Sequence, residues 1–237
     1  MSKLFITADT HGGQDHDMEK LNSTKFPEGK YLTKDDVIII TGDFGCLFYL
    51  PDSKFYEEYK YWFRWLNEKP WTTVFCDGNH ENYDLLDVLP EIDMFGSQVG
   101  KVASSIFHLK RGNIYTICGK SIFAFGGAPS HDKQNRMVGI DWWAREIPNY
   151  AEMQHGLANL NGIKHVDLII THDAPIDIRN QLIDRDSDDL TVAKYLSHIL
   201  TIVDFDEWYF GHFHQDRIIL HEGRKYVCSY RNVHNIV

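Results

Sequence analysis

Trp208-Tyr209-Phe210-Gly211-His212-Phe213-His214 reads WYFGHFH: three aromatics, a glycine, then two histidines one residue apart. Strand side chains alternate faces, so an extended segment would aim both imidazoles the same way. The aromatic run predicts a buried strand with Gly211 as its exit. The pattern recurs upstream. Lys3–Ala8 runs into Asp9-Thr10-His11-Gly12, Val37–Thr41 into Gly42-Asp43, and Thr73–Cys76 into Asp77-Gly78-Asn79-His80-Glu81. Val166–Thr171 runs into His172-Asp173. Taken singly, each ending has a plain structural explanation: a turn, a cap, a hydrogen-bonded histidine. Taken together, on one side of a single sheet, they predict a site at the carboxyl ends of the strands, where open α/β sheets build them.

The residue types select the chemistry. Imidazole and carboxylate without thiolate suit Mn²⁺, Fe, Zn²⁺ or Ni²⁺, with Mn²⁺ the first choice, rather than a structural zinc knuckle. Asp9, His11, Asp43, Asn79, His172, His212 and His214 are too many ligands for one ion. Two divalent ions sharing one carboxylate would use them all.

Further apolar runs at Ser105–Leu109, Tyr115–Cys118, Ser121–Phe125, Arg217–Leu220 and Lys225–Ser229 read as strands. The near-continuous apolarity of Val37–Ile40 and Val166–Ile170 predicts strands covered on both faces. Helical spacing marks Ser53–Asn67, with Ser53 as N-cap candidate, and also Tyr83–Leu89, Tyr150–Leu160 and Leu190–Leu200. Arg111-Gly112-Asn113 and Glu222-Gly223-Arg224 read as hairpin turns. Crossover helices followed by late hairpins predict an α/β sandwich with mixed β-sheets. No linker or repeat divides the chain, so one domain over 1–237 is expected.

The net charge of −10 opposes bulk binding to nucleic acid or anionic membrane. Met1-Ser2-Lys3 leads straight into Leu4-Phe5-Ile6, too short for a signal-peptide core, and no apolar run approaches the ~20 residues of a membrane span. Cys46, Cys76, Cys118 and Cys228 form no CxxC pair and read as buried reduced thiols. A soluble cytoplasmic protein is the expectation.

The series DTHG, GD, GNHE, a lone TH and GHFH, in this order over residues 9 to 214, resembles the calcineurin-like metallophosphoesterase family. The resemblance implies a four-layer α/β/β/α sandwich with a dinuclear metal site at the sheet edge. It assigns Asp9, His11, Asp43 and His214 to one ion, and Asp43 (bridging), Asn79, His172 and His212 to the other. His80 would approach the substrate, as proton donor or transition-state stabiliser. The implied activity is phosphate-ester hydrolysis by a hydroxide bridging the two ions, without a covalent intermediate. Two ions, two carboxylates and that hydroxide leave the centre net positive, which suits a phosphate ester.

The expected partner is a small or nucleotide-like phosphate ester, mono- or diester, rather than a membrane or a nucleic-acid polymer. Phe44-Gly45-Cys46 follows Asp43 where the phosphoprotein phosphatase branch carries Asp-Arg-Gly, which weakens a Ser/Thr phosphatase reading. GGAPSHDKQNR (Gly126–Arg136) and DWWARE (Asp141–Glu146) resemble an insert of small bacterial and phage members. Within it Arg136 is a candidate phosphate ligand, and Trp142 or Trp143 either walls the pocket or belongs to the core. Glu81 reads as either a helix-start carboxylate or a catalytic one, and Asp173 as either a partner of His172 or a turn residue. The rival from another class is a non-catalytic scaffold of the same fold that binds a protein partner.

Overall fold

The computed structural model describes residues 2–183 and 189–237. Among the described residues thirteen strands form two mixed sheets. β1 (Leu4–Thr7), β2 (Val37–Thr41), β3 (Thr72–Cys76) and β6 (Ile106–Leu109) run parallel in the first. β4 (Glu91–Met94), β5 (Ser97–Lys101) and β13 (His234–Asn235) add antiparallel edges, in the order β13-β1-β2-β3-β6-β5-β4. The second sheet is β11-β12-β10-β9-β8-β7. Its centre is parallel: β8 (Lys120–Phe125), β9 (His165–Thr171), β10 (Asp204–Phe210) and β12 (Arg224–Cys228). β7 (Asn113–Ile117) and β11 (Arg217–His221) are its antiparallel edges.

Strand alternation builds three apolar layers from these runs. Val37 and Ile39 face the second sheet, where they meet Ile122, Leu168, Ile170 and Tyr209. Ile38 and Ile40 face outward, into a layer with Tyr59 and Leu66 of helix α1 (Tyr56–Asn67). Ile169, Trp208 and Phe210 face the opposite way, toward α3 (Tyr150–Leu160), α4 (Ile176–Arg179) and α5 (Thr191–Ile199). Helix, sheet, sheet and helix therefore stack as four layers. A strand in the middle must be apolar on both faces, which explains the unbroken run at Val37–Ile40.

Several local expectations change. Arg111-Gly112-Asn113 is no hairpin: β6 belongs to one sheet and β7 to the other, so this glycine turn carries the chain between sheets. Gly112 sits at φ +78°, and a Cβ there would lie 2.7 Å from the Gly156 backbone of α3. Glu222-Gly223 does close a hairpin, with φ +50° and +76°. Both positive values match the primed turn that strand twist favours. Phe95-Gly96 and Cys118-Gly119 do the same for β4–β5 and β7–β8, so Cys118 lies in a turn, not a strand. Ser53 does not cap α1, whose cap position is Phe55 without a side-chain bond. α2 (Tyr83–Leu86) is shorter than the spacing suggested and is capped by Asn82, which accepts from Asp84 N and Leu85 N. The five ligand-bearing strand ends come from two sheets rather than one: β1, β2 and β3 from the first, β9 and β10 from the second.

Candidate metal centre

The parallel registers bring the strand exits together. Asp9 N donates to Gly42 O (3.1 Å) and His11 N to Asp43 O (2.9 Å), joining the first two exits. Between sheets, His172 Nδ1 bonds Thr41 O (2.9 Å) and His212 N donates to Asp9 Oδ1 (3.1 Å). The backbone is bent hard at these points: Asp9, His11, Asp43, His212 and His214 all hold positive φ, between 43° and 70°. Left-handed backbone at non-glycine residues costs of order 1 kcal/mol each and gathers at functional sites.

Asp43 is the hub. Its Oδ2 lies 3.2 Å from His11 Nε2, and its Oδ1 lies 3.2 Å from His172 Nε2 while accepting from His80 N at 2.8 Å. His172 Nε2 also meets Asn79 Oδ1 at 3.2 Å. His214 Nε2 lies 3.8 Å from Asp9 Oδ1. Ligand atoms of Asp9, His11, Asp43 and His214 lie within 4.8 Å of one another, a group that could hold a metal ion. On the far side of Asp43, the His172 and His212 rings are 5.1 Å apart. The two histidines of GHFH thus diverge, His214 toward His11 (5.0 Å) and His212 toward His172.

The donor set fits divalent metal. Asp9 Oδ2 and His212 Nε2 are buried without a hydrogen-bond partner, a costly state for polar atoms that a metal would relieve. Burial pushes the Asp9 carboxyl up. Burial also acts to raise Asp43, but His172, His80 and His11 outweigh it and hold it well below the usual carboxylate range. Burial alone would lower His11 and His172; Asp17 with Asp43 brings His11 up to about 10, and chiefly Asp43 brings His172 up to about 9. The acidic centre thus draws positive charge to itself. Burial and His172 push His212 well down, leaving it neutral with a lone pair to offer. Two glycines make room: a Cβ on Gly42 would fall 2.1 Å from His172 Nδ1, and one on Gly78 2.2 Å from Asp43 Oδ1.

His80 and Arg136 meet beside this centre. Arg136 Nη2 donates to His80 Nε2 at 3.0 Å, and Arg136 Nε pairs with Asp132 at 2.8 Å. Burial brings His80 down to about 4 against the pull of Asp43, helped by His11 and Arg136. The Arg136 loop is braced at its neck, where Glu146 accepts from Ser130 N (2.8 Å) and Oγ (2.6 Å). From the same loop His131 stacks on His212 at 5.0 Å. Trp143 is buried and donates to Asp84 Oδ2 (2.8 Å), while its ring meets Phe48, which in turn faces His80. Glu81 neither starts α2 nor meets the ligand atoms; it accepts from Phe44 N (2.7 Å) and Gly45 N (3.3 Å). Asp173 pairs with Arg179 (2.7 Å) rather than with His172. Sequence reasoning missed Asp17, whose Oδ2 meets His11 Nδ1 at 2.8 Å; no spacing rule marks it.

The family model for calcineurin-like phosphoesterases matches residues 2–216. The chain belongs to that family. Its members are metal-dependent and act on phosphate esters, which agrees with the donor set. A lariat debranching enzyme of Schizosaccharomyces pombe is 28% identical over 155 residues, 60% of this chain. The chain spans only 32% of that relative's length. Among solved structures, the phosphopantetheinyl hydrolase PptH of Mycobacterium tuberculosis superposes with a TM-score of 0.51 at 12% identity. That match covers 97% of this chain and 90% of the other, and it supports the calcineurin-like fold. Among the described residues no helix is long and apolar enough to cross a membrane.

Proposed function

We propose that this calcineurin-like protein hydrolyses phosphate esters at a dinuclear centre. Asp9, His11, Asp43 and His214 hold one ion, and Asp43, Asn79, His172 and His212 hold the second, with Mn²⁺ the preferred metal. The observation that carries this reading is Asp43: its two oxygens each stand 3.2 Å from a different histidine, as a shared ligand requires. When bound, two such ions supply positive charge for the phosphoryl oxygens and lower the pKa of water. The protein's residues do the rest. Asp43 orders both positions. His172 is held by its Nδ1 bond to Thr41 O, which leaves Nε2 for the metal side. Arg136 reaches the phosphate from the insert loop and orients it.

His80 is placed to hand a proton to the leaving oxygen once its Nε2, which accepts from Arg136 and carries no proton in that contact, has taken one up from water. Its Nε2 is occupied by an Arg136 N–H in the free protein. Arg136 therefore has to move onto the substrate phosphate before His80 can serve the leaving oxygen, which couples phosphate binding to proton transfer. The preferred substrate is a small or nucleotide-like ester, consistent with a chain of net charge −10. The likeness to a lariat debranching enzyme favours a second reading, a phosphodiesterase acting on nucleic acid. Assay of p-nitrophenyl phosphate, its bis ester and a branched oligonucleotide under Mn²⁺ separates these. Turnover of either small ester supports the first reading, and turnover of the oligonucleotide alone supports the second. Inactivity on all three with metal bound would return the protein to a scaffold role.

A further inference from the structure

Asp17 lies outside every motif that points to the metal centre, yet it is wired into one half of it. It sits in the segment His11–Leu21, whose helical turns are broken at Gly12–His16, six residues after the ligand candidate His11, and is 2% exposed. Its Oδ2 meets His11 Nδ1 at 2.8 Å. That bond places a proton on Nδ1 and turns Nε2 toward Asp43. Asp17 Oδ1 accepts from the Tyr230 hydroxyl at 3.0 Å and pairs with Arg231 Nη1 at 2.6 Å. The Tyr230 ring lies flat on His214, 4.7 Å away at an interplanar angle of 5°. Lys20, in the same segment and also buried, donates to Asp9 O at 2.9 Å and to Tyr230 O, so the segment is tied to both partners. One carboxylate thus holds His11 directly and His214 through Tyr230. Neither His172 nor His212 is tied to it: His172 takes its second bond from the Thr41 carbonyl.

We propose that Asp17 is a positioning residue for the ion position formed by Asp9, His11, Asp43 and His214, and that it sets the affinity of that position alone. This rests on the two-ion reading above. Partners of metal-bound histidines fix ring orientation and raise basicity, and losing one costs roughly 10–100-fold in affinity.

The test is Mn²⁺ binding to the metal-free protein by titration calorimetry, with metal content measured on the same samples. Wild type, Asp17→Ala, Asp17→Asn and Tyr230→Phe are compared. Wild type takes up two ions. Asp17→Ala weakens one of them by about 10–100-fold and leaves the other within about twofold. Asp17→Asn keeps an acceptor for Nδ1 and loses less, and Tyr230→Phe keeps the ring stack and loses least. In ¹H–¹⁵N spectra of the metal-free protein, the protected His11 Nδ1–H proton vanishes in Asp17→Ala and persists in Tyr230→Phe. Unchanged affinity at both positions, or an equal fall at both, overturns the proposal, because a merely structural residue would act on both or neither. Should Asp17→Ala fail to fold, Asp17→Asn and Tyr230→Phe carry the same comparison. Wild type binding a single ion overturns the two-ion reading; the role of Asp17 then stands if that ion weakens in the variants and falls if it does not.

Discussion

Gly42 shows how tightly single residues set the centre. It holds φ +88°, and a Cβ would press on the His172 ring. Gly42→Ala is therefore expected to lower thermal stability and to cut Mn²⁺ uptake together, read by melting curves and metal content on one sample. His80→Ala should lower kcat by about 10²–10⁴-fold while metal content stays at the wild-type level. Arg136→Ala should raise KM by roughly tenfold or more, as expected for the loss of a charged hydrogen bond, with folding intact. Unchanged kinetics in that variant would remove Arg136 from the substrate site. The ligand candidates were legible because each follows an apolar run, where Asp and His have no packing reason to be. The role of Glu81 and the Arg136–His80 contact were not, because each joins residues far apart in the chain, and Asp17 was not because it reaches His11 through an irregular turn that no local spacing encodes.

Among elements, the central strands were the easiest to read. Being buried on both faces favours apolar residues throughout, so Val37–Thr41 and the buried stretch Leu168–Thr171 of β9 announce themselves. β4 and β5 escaped notice because they alternate exposed polar residues, Glu91 and Asp93 among them, at a sheet edge. Arg111-Gly112-Asn113 misled for another reason: a glycine turn between two strands looks the same whether the strands pair or belong to different sheets. The start of β2 supplies a prediction. Asp36 accepts from Lys3 N (2.7 Å), Thr33 N (2.6 Å) and Thr33 Oγ1 (3.1 Å), fastening β1 to the turn before β2. Burial acts to raise its carboxyl, but these donors outweigh burial and lower it. A lowered carboxylate contributes stability above its unfolded pKa of about 4 and loses it as pH falls through the folded value. Asp36→Asn should therefore cost about 1–2 kcal/mol at pH 7, with the gap in melting temperature closing as pH falls below the unfolded value and through the lowered folded one. A gap independent of pH would contradict this account of Asp36.

For the molecule as a whole, two parallel-centred sheets face each other across a shared apolar layer, and their strand exits converge at one end. That arrangement lets residues as distant in sequence as Asp9 and His214 stand 3.8 Å apart. The four-layer architecture and the family were legible in the sequence because the ligand motifs span nearly all of it in order. The division of the strand exits between two sheets was not, since sheet membership depends on long-range pairing. These converged residues are proposed to hydrolyse phosphate esters through bound metal. The most direct test is p-nitrophenyl phosphate turnover by metal-free protein titrated with Mn²⁺, alongside Asp43→Asn. Turnover should be absent in chelator, recover to saturation as two ions bind, and stay absent in Asp43→Asn. Full turnover in chelator, or wild-type turnover by Asp43→Asn, would contradict the proposal.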